Sequence, residues 1–213
     1  MKRLKDFCER VQQKLEAKRL KKEIFRKSIH MLGSFCPLFA SLTSTLIVVC
    51  TLFFIMLFYT VSELLRLNGK NIYCFSNVTK IANRERDEKR FSLGPITLST
   101  GIIISLYFFP LYIATIAIFS LSFGDGIASL AGKAFGKVKF IFEGKTLAGS
   151  MACFLATLIA EVAFTEKIVL SFTIAFFTTM IELLPLKDFD NIAIPIVMAL
   201  LVQYFNEYFI ILF

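Results

Sequence analysis

Ser122-Phe123-Gly124-Asp125-Gly126-Ile127-Ala128-Ser129-Leu130-Ala131-Gly132-Lys133-Ala134-Phe135-Gly136-Lys137 follows a long apolar run and carries one acid, two lysines and four glycines where lipid-facing residues are expected. An ionisable group at the end of a membrane segment is costly and marks a functional candidate. As a helix, the stretch places Gly124, Ala128, Gly132 and Gly136 on one small-residue face suited to close helix packing. Asp125, Ser129 and Lys133 repeat the same spacing on the adjacent stripe. One helix then presents an acid, a hydroxyl and a cation in a row, suited to a metal and a phosphate. The plainer reading is a packing helix whose Asp ends the span. Neither phosphate-loop pattern fits. Gly126 to Gly132 encloses one residue too many for a Walker loop, and Ala134 stands where Ser or Thr is needed. Ser129 takes the third glycine position of the dinucleotide fingerprint.

Outward from this stretch the chain is apolar. Hydrophobic residues make up 56% of 213, Phe alone counts 25, and the mean hydropathy is +0.70. Those values exceed the apolar share of a soluble domain and predict an all-α polytopic membrane protein. Seven apolar spans are expected, at 28–43, 44–66, 94–109, 111–132, 146–163, 167–184 and 192–212, from the ~20 residues that cross hydrocarbon. Pro37 makes the first a candidate for a kinked or re-entrant segment. Residues 1–27 form a separate basic segment, with Leu4, Phe7, Val11 and Leu15 at amphipathic-helix spacing, and 28–213 form the membrane-embedded domain. The charged leader is no cleavable signal peptide. The five cysteines lack paired spacing and read as reduced thiols.

The net charge of +8 does not indicate nucleic acid, because the cations flank apolar spans. With the N-terminus cytoplasmic, 23 of the 24 Lys and Arg fall on the cytoplasmic side and only Lys167 lies outside. That orientation keeps the Asn77-Val78-Thr79 sequon away from any glycosylating lumen. It also gathers the polar clusters on one membrane face: Arg26, Lys27 and His30; Glu63 and Arg66; Gly94-Pro95; Asp125 to Lys137; Lys145-Thr146; and Glu182 with Asp190-Asn191.

The lone histidine rules out a Ser-His-Asp or His-rich zinc site. Carboxylates with cations suit magnesium and a nucleotide, since hard oxygens hold the ion and Lys or Arg neutralise phosphoryl charge. Asp125 leads as metal ligand, followed by Asp190 and Glu63, although Glu63 and Arg66 also read as an intrahelical ion pair. Lys133, Lys145, Arg26 and Lys27 are the phosphate candidates. A water-soluble nucleotide at a membrane boundary implies a lipid as the other substrate. Asp125→Asn keeps the side-chain shape and is expected to end turnover with little loss of folded protein.

In order, Arg26-Lys27 with His30, Glu63-Leu64-Leu65-Arg66, Phe123-Gly124-Asp125 through Gly132-Lys133 and Phe135-Gly136, Lys145-Thr146 with Gly149-Ser150, and Asp190-Asn191 with Pro195 resemble the CTP-dependent lipid kinases: dolichol kinase, phytol kinase and the CTP-dependent diacylglycerol kinase. The resemblance covers the chain from residue 26 onward. It implies an all-helical membrane enzyme that moves the γ-phosphate of CTP to a lipid alcohol with a divalent cation such as Mg2+. By match, Arg26, Lys27, Asp125 and Gly132 matter for activity, with Lys133 beside them as a catalytic cation. Gly124, Gly132, Lys145, Thr146, Arg66 and Asn191 complete the nucleotide and phosphate set. Ala148 stands where the family commonly has Glu in Lys-Thr-x-Glu-Gly-Ser. The phosphatidate cytidylyltransferases share the Lys-Thr-x-x-Gly theme, but of their longer acidic signature only Lys187-Asp188-Phe189 is similar. A non-enzymatic transporter is the third reading. The compact length suggests a bacterial cytoplasmic membrane with the site facing the cytoplasm.

Overall fold

The computed structural model describes residues 20–69, 90–139 and 144–208. Residues 1–19 of the expected amphipathic segment, the sequon at 77–79 and the last residues of the seventh expected span lie outside them. The described chain is all-helical, and its one β-type contact is an isolated bridge between Lys139 and Thr146. In order come α1 (20–32), a 3₁₀ turn (Gly33–Phe35), α2 (Cys36–Leu42), α3 (Thr45–Leu67), α4 (Gly94–Phe108), α5 (Leu111–Phe119), a π turn (Ser120–Asp125), α6 (Gly126–Phe135), α7 (Leu147–Thr165), α8 (Ile168–Leu183) and α9 (Asp190–Tyr208). Proline sits where a missing N–H costs least. Pro37 and Pro95 occupy first-turn positions of α2 and α4, and Pro110 caps α5.

Among the described residues, three helices are long and apolar enough to cross a membrane: Thr45–Leu67, Leu111–Phe135 and Leu147–Thr165. Their burial differs in a way that explains the layout. The apolar window of Leu111–Phe135 is 72% buried, and that of Thr45–Leu67 only 11%. A helix apolar on every side belongs at the centre of a bundle. Accordingly Ile113, Ile116 and Leu121 pack with Ile174, Ile194 and Met198 on one side, while Ala114 and Ile118 pack with Ile102 and Leu106 on the other. α3 instead turns Phe53, Phe54, Leu57 and Phe58 outward.

The glycine face of the opening stretch packs against α7. A Cβ on Gly132 would lie 2.9 Å from Thr146 Oγ1, and one on Gly149 would lie 2.9 Å from the Ala128 carbonyl oxygen. α6 ends at Phe135 and Gly136 is its C-cap, yet the face continues through it, since a Cβ there would lie 2.6 Å from Thr146 Cγ2. The expected boundary at residue 27 falls inside α1, whose Glu23, Lys27 and His30 form a buried stripe that continues to Gly33 in the 3₁₀ turn. The first expected span is thus the end of α1, a 3₁₀ turn and α2.

Candidate functional site

α1 and α6 meet as a ladder of opposite charges. Lys27 Nζ donates to Asp125 Oδ2, while Glu23 accepts from Arg26 Nη2, Ser129 Oγ and Lys133 Nζ. Rising from residue 23 to 27 on one helix corresponds to falling from 133 to 125 on the other, so the two run antiparallel. The four-residue spacing of Asp125, Ser129 and Lys133 is what lets one face of α1 meet all three. One turn further along α1, His30 Nε2 lies 2.9 Å from Asn191 Oδ1 and 3.3 Å from Asp125 Oδ2. Asn191 Nδ2 in turn donates to Thr97 Oγ1 at 3.0 Å, which ties the starts of α4 and α9 together.

The residues of the charge ladder wall a cavity of about 410 Å³ at one end of the bundle. That volume lies in the usual range for a small-molecule site. Arg26, Lys27, Asp125, Gly132, Lys133, Lys145, Thr146 and Asp190 all line it. Thr146 caps α7 by accepting the Gly149 N–H at 3.1 Å, so a helix N-terminus opens on the cavity. Lys145 Nζ donates to Glu182 Oε1 at 2.6 Å across from α8. Among the described residues, two buried polar atoms of the wall have no protein partner: Arg26 Nε and Glu182 Oε2.

The remaining expected residues lie elsewhere. Gly124 faces α7 and α8, where a Cβ would meet Thr157 Oγ1 at 2.7 Å. Its role is close packing. Asn191 backs the cavity wall through His30. Glu63 and Arg66 do not reach the cavity, and their geometry matches the ion-pair reading. Arg66 Nε and Nη2 donate to the two Glu63 oxygens at 2.8 and 2.7 Å. The Ser92 N–H also donates to Glu63 Oε1 at 2.9 Å, and Arg66 Nη2 donates to the Arg90 carbonyl. With both oxygens taken, Glu63 braces residues 90–92 against the end of α3.

Most of the charge in the site is paired, with Asp190 the exception. Burial by itself raises the Glu23 carboxyl, but the Arg26 guanidinium, the Lys133 ammonium and the Ser129 hydroxyl outweigh it and hold the group down at about 2. Asp190, just ahead of the last expected span, behaves oppositely. Burial and then the charge of Asp125 push it up to about 7, and its Oδ1 accepts the Asn191 N–H at 2.9 Å. Two carboxylates that sense one another across a pocket fit a divalent cation, which relieves their mutual repulsion. Among the described residues no three His, Cys, Asp or Glu side chains converge as a metal cage. Magnesium needs none, since it is commonly held by one or two carboxylates together with substrate phosphates and waters.

Sequence reasoning passed over Glu23 and Lys187, both of which line the cavity. A usable signal existed for Glu23. Lys27 and His30 were singled out, and one helical turn back along the same stripe is Glu23. No family model matches the chain, and no curated protein or solved structure is similar enough to indicate kinship.

Proposed function

We propose that this chain is a polytopic membrane enzyme that transfers the γ-phosphate of CTP to the hydroxyl of a lipid alcohol, of the diacylglycerol, polyprenol or phytol type. The observation that carries the reading is the pocket at one end of the bundle, where four carboxylates and five cations meet from four separate parts of the chain. In this reading seven segments cross a bacterial cytoplasmic membrane, the N-terminus is cytoplasmic and the pocket opens there.

Asp125 and Asp190 would hold Mg2+, whose charge offsets that of the β- and γ-phosphates. Lys133, Lys145, Arg26 and Lys27 bind and orient the phosphates, aided by the free Nε of Arg26 and the N-terminus of α7. The acceptor oxygen forms a bond to the γ-phosphorus. The bond from that phosphorus to the β–γ bridging oxygen breaks, its electron pair leaves with CDP, and the hydroxyl proton passes to water. Outward-facing apolar side chains such as Phe53, Phe54 and Ile159 give the lipid tail its surroundings.

Membranes carrying the protein, mixed lipid acceptors and CTP labelled separately at the α and γ positions test this. Label entering lipid from the γ position alone is the expected result, and the chromatographic identity of the product names the acceptor. Label entering from the α position means cytidylyl transfer to phosphatidate. Label from neither position refutes the enzyme reading and leaves that of a transporter.

A further inference from the structure

A second polar feature leads away from the pocket into the bundle interior. On α7, Cys153, Thr157, Glu161 and Thr165 follow one another every fourth residue, all buried. They face Thr178 on α8 and Ser120 on the π turn. Glu161 is 0% exposed, and its Oε1 accepts from Ser120 Oγ at 3.2 Å. Among the described residues its Oε2 has no partner, and neither does Thr157 Oγ1 or Thr178 Oγ1. Thr157 and Thr178 lie side by side, since a Cβ on Gly124 would meet Thr157 Oγ1 at 2.7 Å and Thr178 Cγ2 at 3.0 Å. One turn beyond Thr178 stands Glu182, whose unpartnered Oε2 belongs to the pocket wall.

Each orphaned polar atom costs about 1–3 kcal/mol if left dry, and proteins answer such groups with ordered water. The spacing suits that answer. Four helical residues rise about 6 Å, and two hydroxyl hydrogen bonds laid end to end through one water span nearly as much. One water per helical step would link Glu182 to Thr178 on α8 and Thr157 to Glu161 on α7. Countercharge is the second point. The titratable and charged groups on the elements packed around Glu161 are Tyr112 on α5, Asp125 and Lys133 at the pocket end, Glu166 and Lys167 in the turn after α7, and Glu182. Among the described residues none makes an ion pair with it. A buried carboxyl without a basic partner takes its neutralising charge from a proton or a small cation.

We propose that this seam is a hydrated path from the pocket to Glu161, and that the Glu161 carboxyl binds a proton delivered along it. The O–H bond formed at Oε2 replaces one broken in the adjoining water, whose own proton is made good from the pocket. The site stands whether or not the pocket takes a nucleotide.

Infrared spectra of the full-length protein in lipid, in H2O and in D2O, test it. An acid-form carboxyl band that is absent from Glu161→Gln and moves to lower frequency soon after transfer to D2O supports the path. Replacing both hydroxyls, Thr157→Val with Thr178→Val, should slow that isotope shift by an order of magnitude. If Glu161→Gln fails to accumulate, Glu161→Asp keeps an acid and must displace the same band. No band assignable to Glu161 means that the group is charged and paired with a cation, which overturns the proposal. So does a wild-type band that ignores D2O, or a double valine variant that exchanges as fast as wild type.

Discussion

Removing the charge of Asp125 tests the site and the fold together. Lys27 is 3% exposed and Asp125 5%, and the ammonium donates directly to Oδ2. Asp125→Asn preserves shape and leaves His30 Nε2, now 3.3 Å from that oxygen, an oxygen to face. What it cannot preserve is the countercharge of a lysine taken out of water. Breaking one member of a buried pair costs about 3–5 kcal/mol, much of it the penalty on the partner left behind. Asp125→Asn and Lys27→Met should each lose that much, contrary to the mild effect expected from the sequence alone. Replacing both should return stability to within about 1 kcal/mol of wild type, because exchanging a whole buried pair for uncharged groups is often neutral. The double variant should fall short of the summed single losses by at least about 3 kcal/mol. Reversible unfolding in mixed detergent micelles measures the cycle, and turnover is measured alongside. The double variant should be stable and inactive, which separates the folding role of the pair from its chemistry. Single losses below about 1 kcal/mol, or a double loss equal to the sum, would refute the reasoning.

Three further expectations follow from neighbouring contacts. Glu23 is held at about 2 against an ordinary 4.5, so its contribution, about 3 kcal/mol, is full above pH 4.5 and is lost as pH falls toward 2. Glu23→Gln should therefore flatten the acid limb of a stability–pH profile, and an unchanged limb would count against the ladder. A Cβ on Gly101 would lie 2.1 Å from the Asn191 carbonyl oxygen, so Gly101→Ala must displace the first turn of α9. It should cost about 1–3 kcal/mol or more in thermal unfolding and weaken nucleotide binding at a distance, whereas normal behaviour in both would mean that α4 and α9 are not packed this closely. Glu63→Gln should lower stability by about 3 kcal/mol yet leave the divalent-cation affinity of the folded protein unchanged; a lost affinity would return Glu63 to the metal site.

The apolar runs made the helices legible, because a stretch of that length and hydropathy has few alternatives to a helix. The stripe Asp125, Ser129 and Lys133 was legible for a similarly local reason, since four-residue spacing sets one helix face regardless of what covers it. What covers it was not. Glu23 sits in a segment dense with Lys and Arg, where composition points to a solvated surface, and its partners Ser129 and Lys133 are more than 100 residues away. The tight contact of Gly101 with Asn191 is likewise a product of tertiary packing. Gly136 is a mixed case: its spacing continued the small-residue face, which does meet Thr146, but did not show that the helix ends there and uses it as a cap. Glu63 and Arg66 illustrate a tie. Three-residue spacing admitted either a local pair or two ligands, and only the positions of Ser92 and Arg90 separate them.

The pairing inside the pocket bears on how a ligand would enter. Glu23 answers Arg26 and Lys133, Asp125 answers Lys27, and Glu182 answers Lys145, each pair but one joining separate parts of the chain. An anion arriving by itself must take cations from carboxylates that are then left buried and unpaired. A divalent cation arriving by itself must take carboxylates from ammonium groups that are left in the same condition. Either half of the exchange carries the cost of an orphaned charge, which is large in a dry site. Binding together lowers that cost, because the metal replaces the ammonium on Asp125 as phosphate oxygens take up Lys27. Under the proposed function, nucleotide and metal therefore bind as coupled ligands, each raising the affinity of the other by the same factor. Four of the pocket's cations already have carboxylate partners, so a ligand carrying both signs displaces them more easily than an ion of either sign alone.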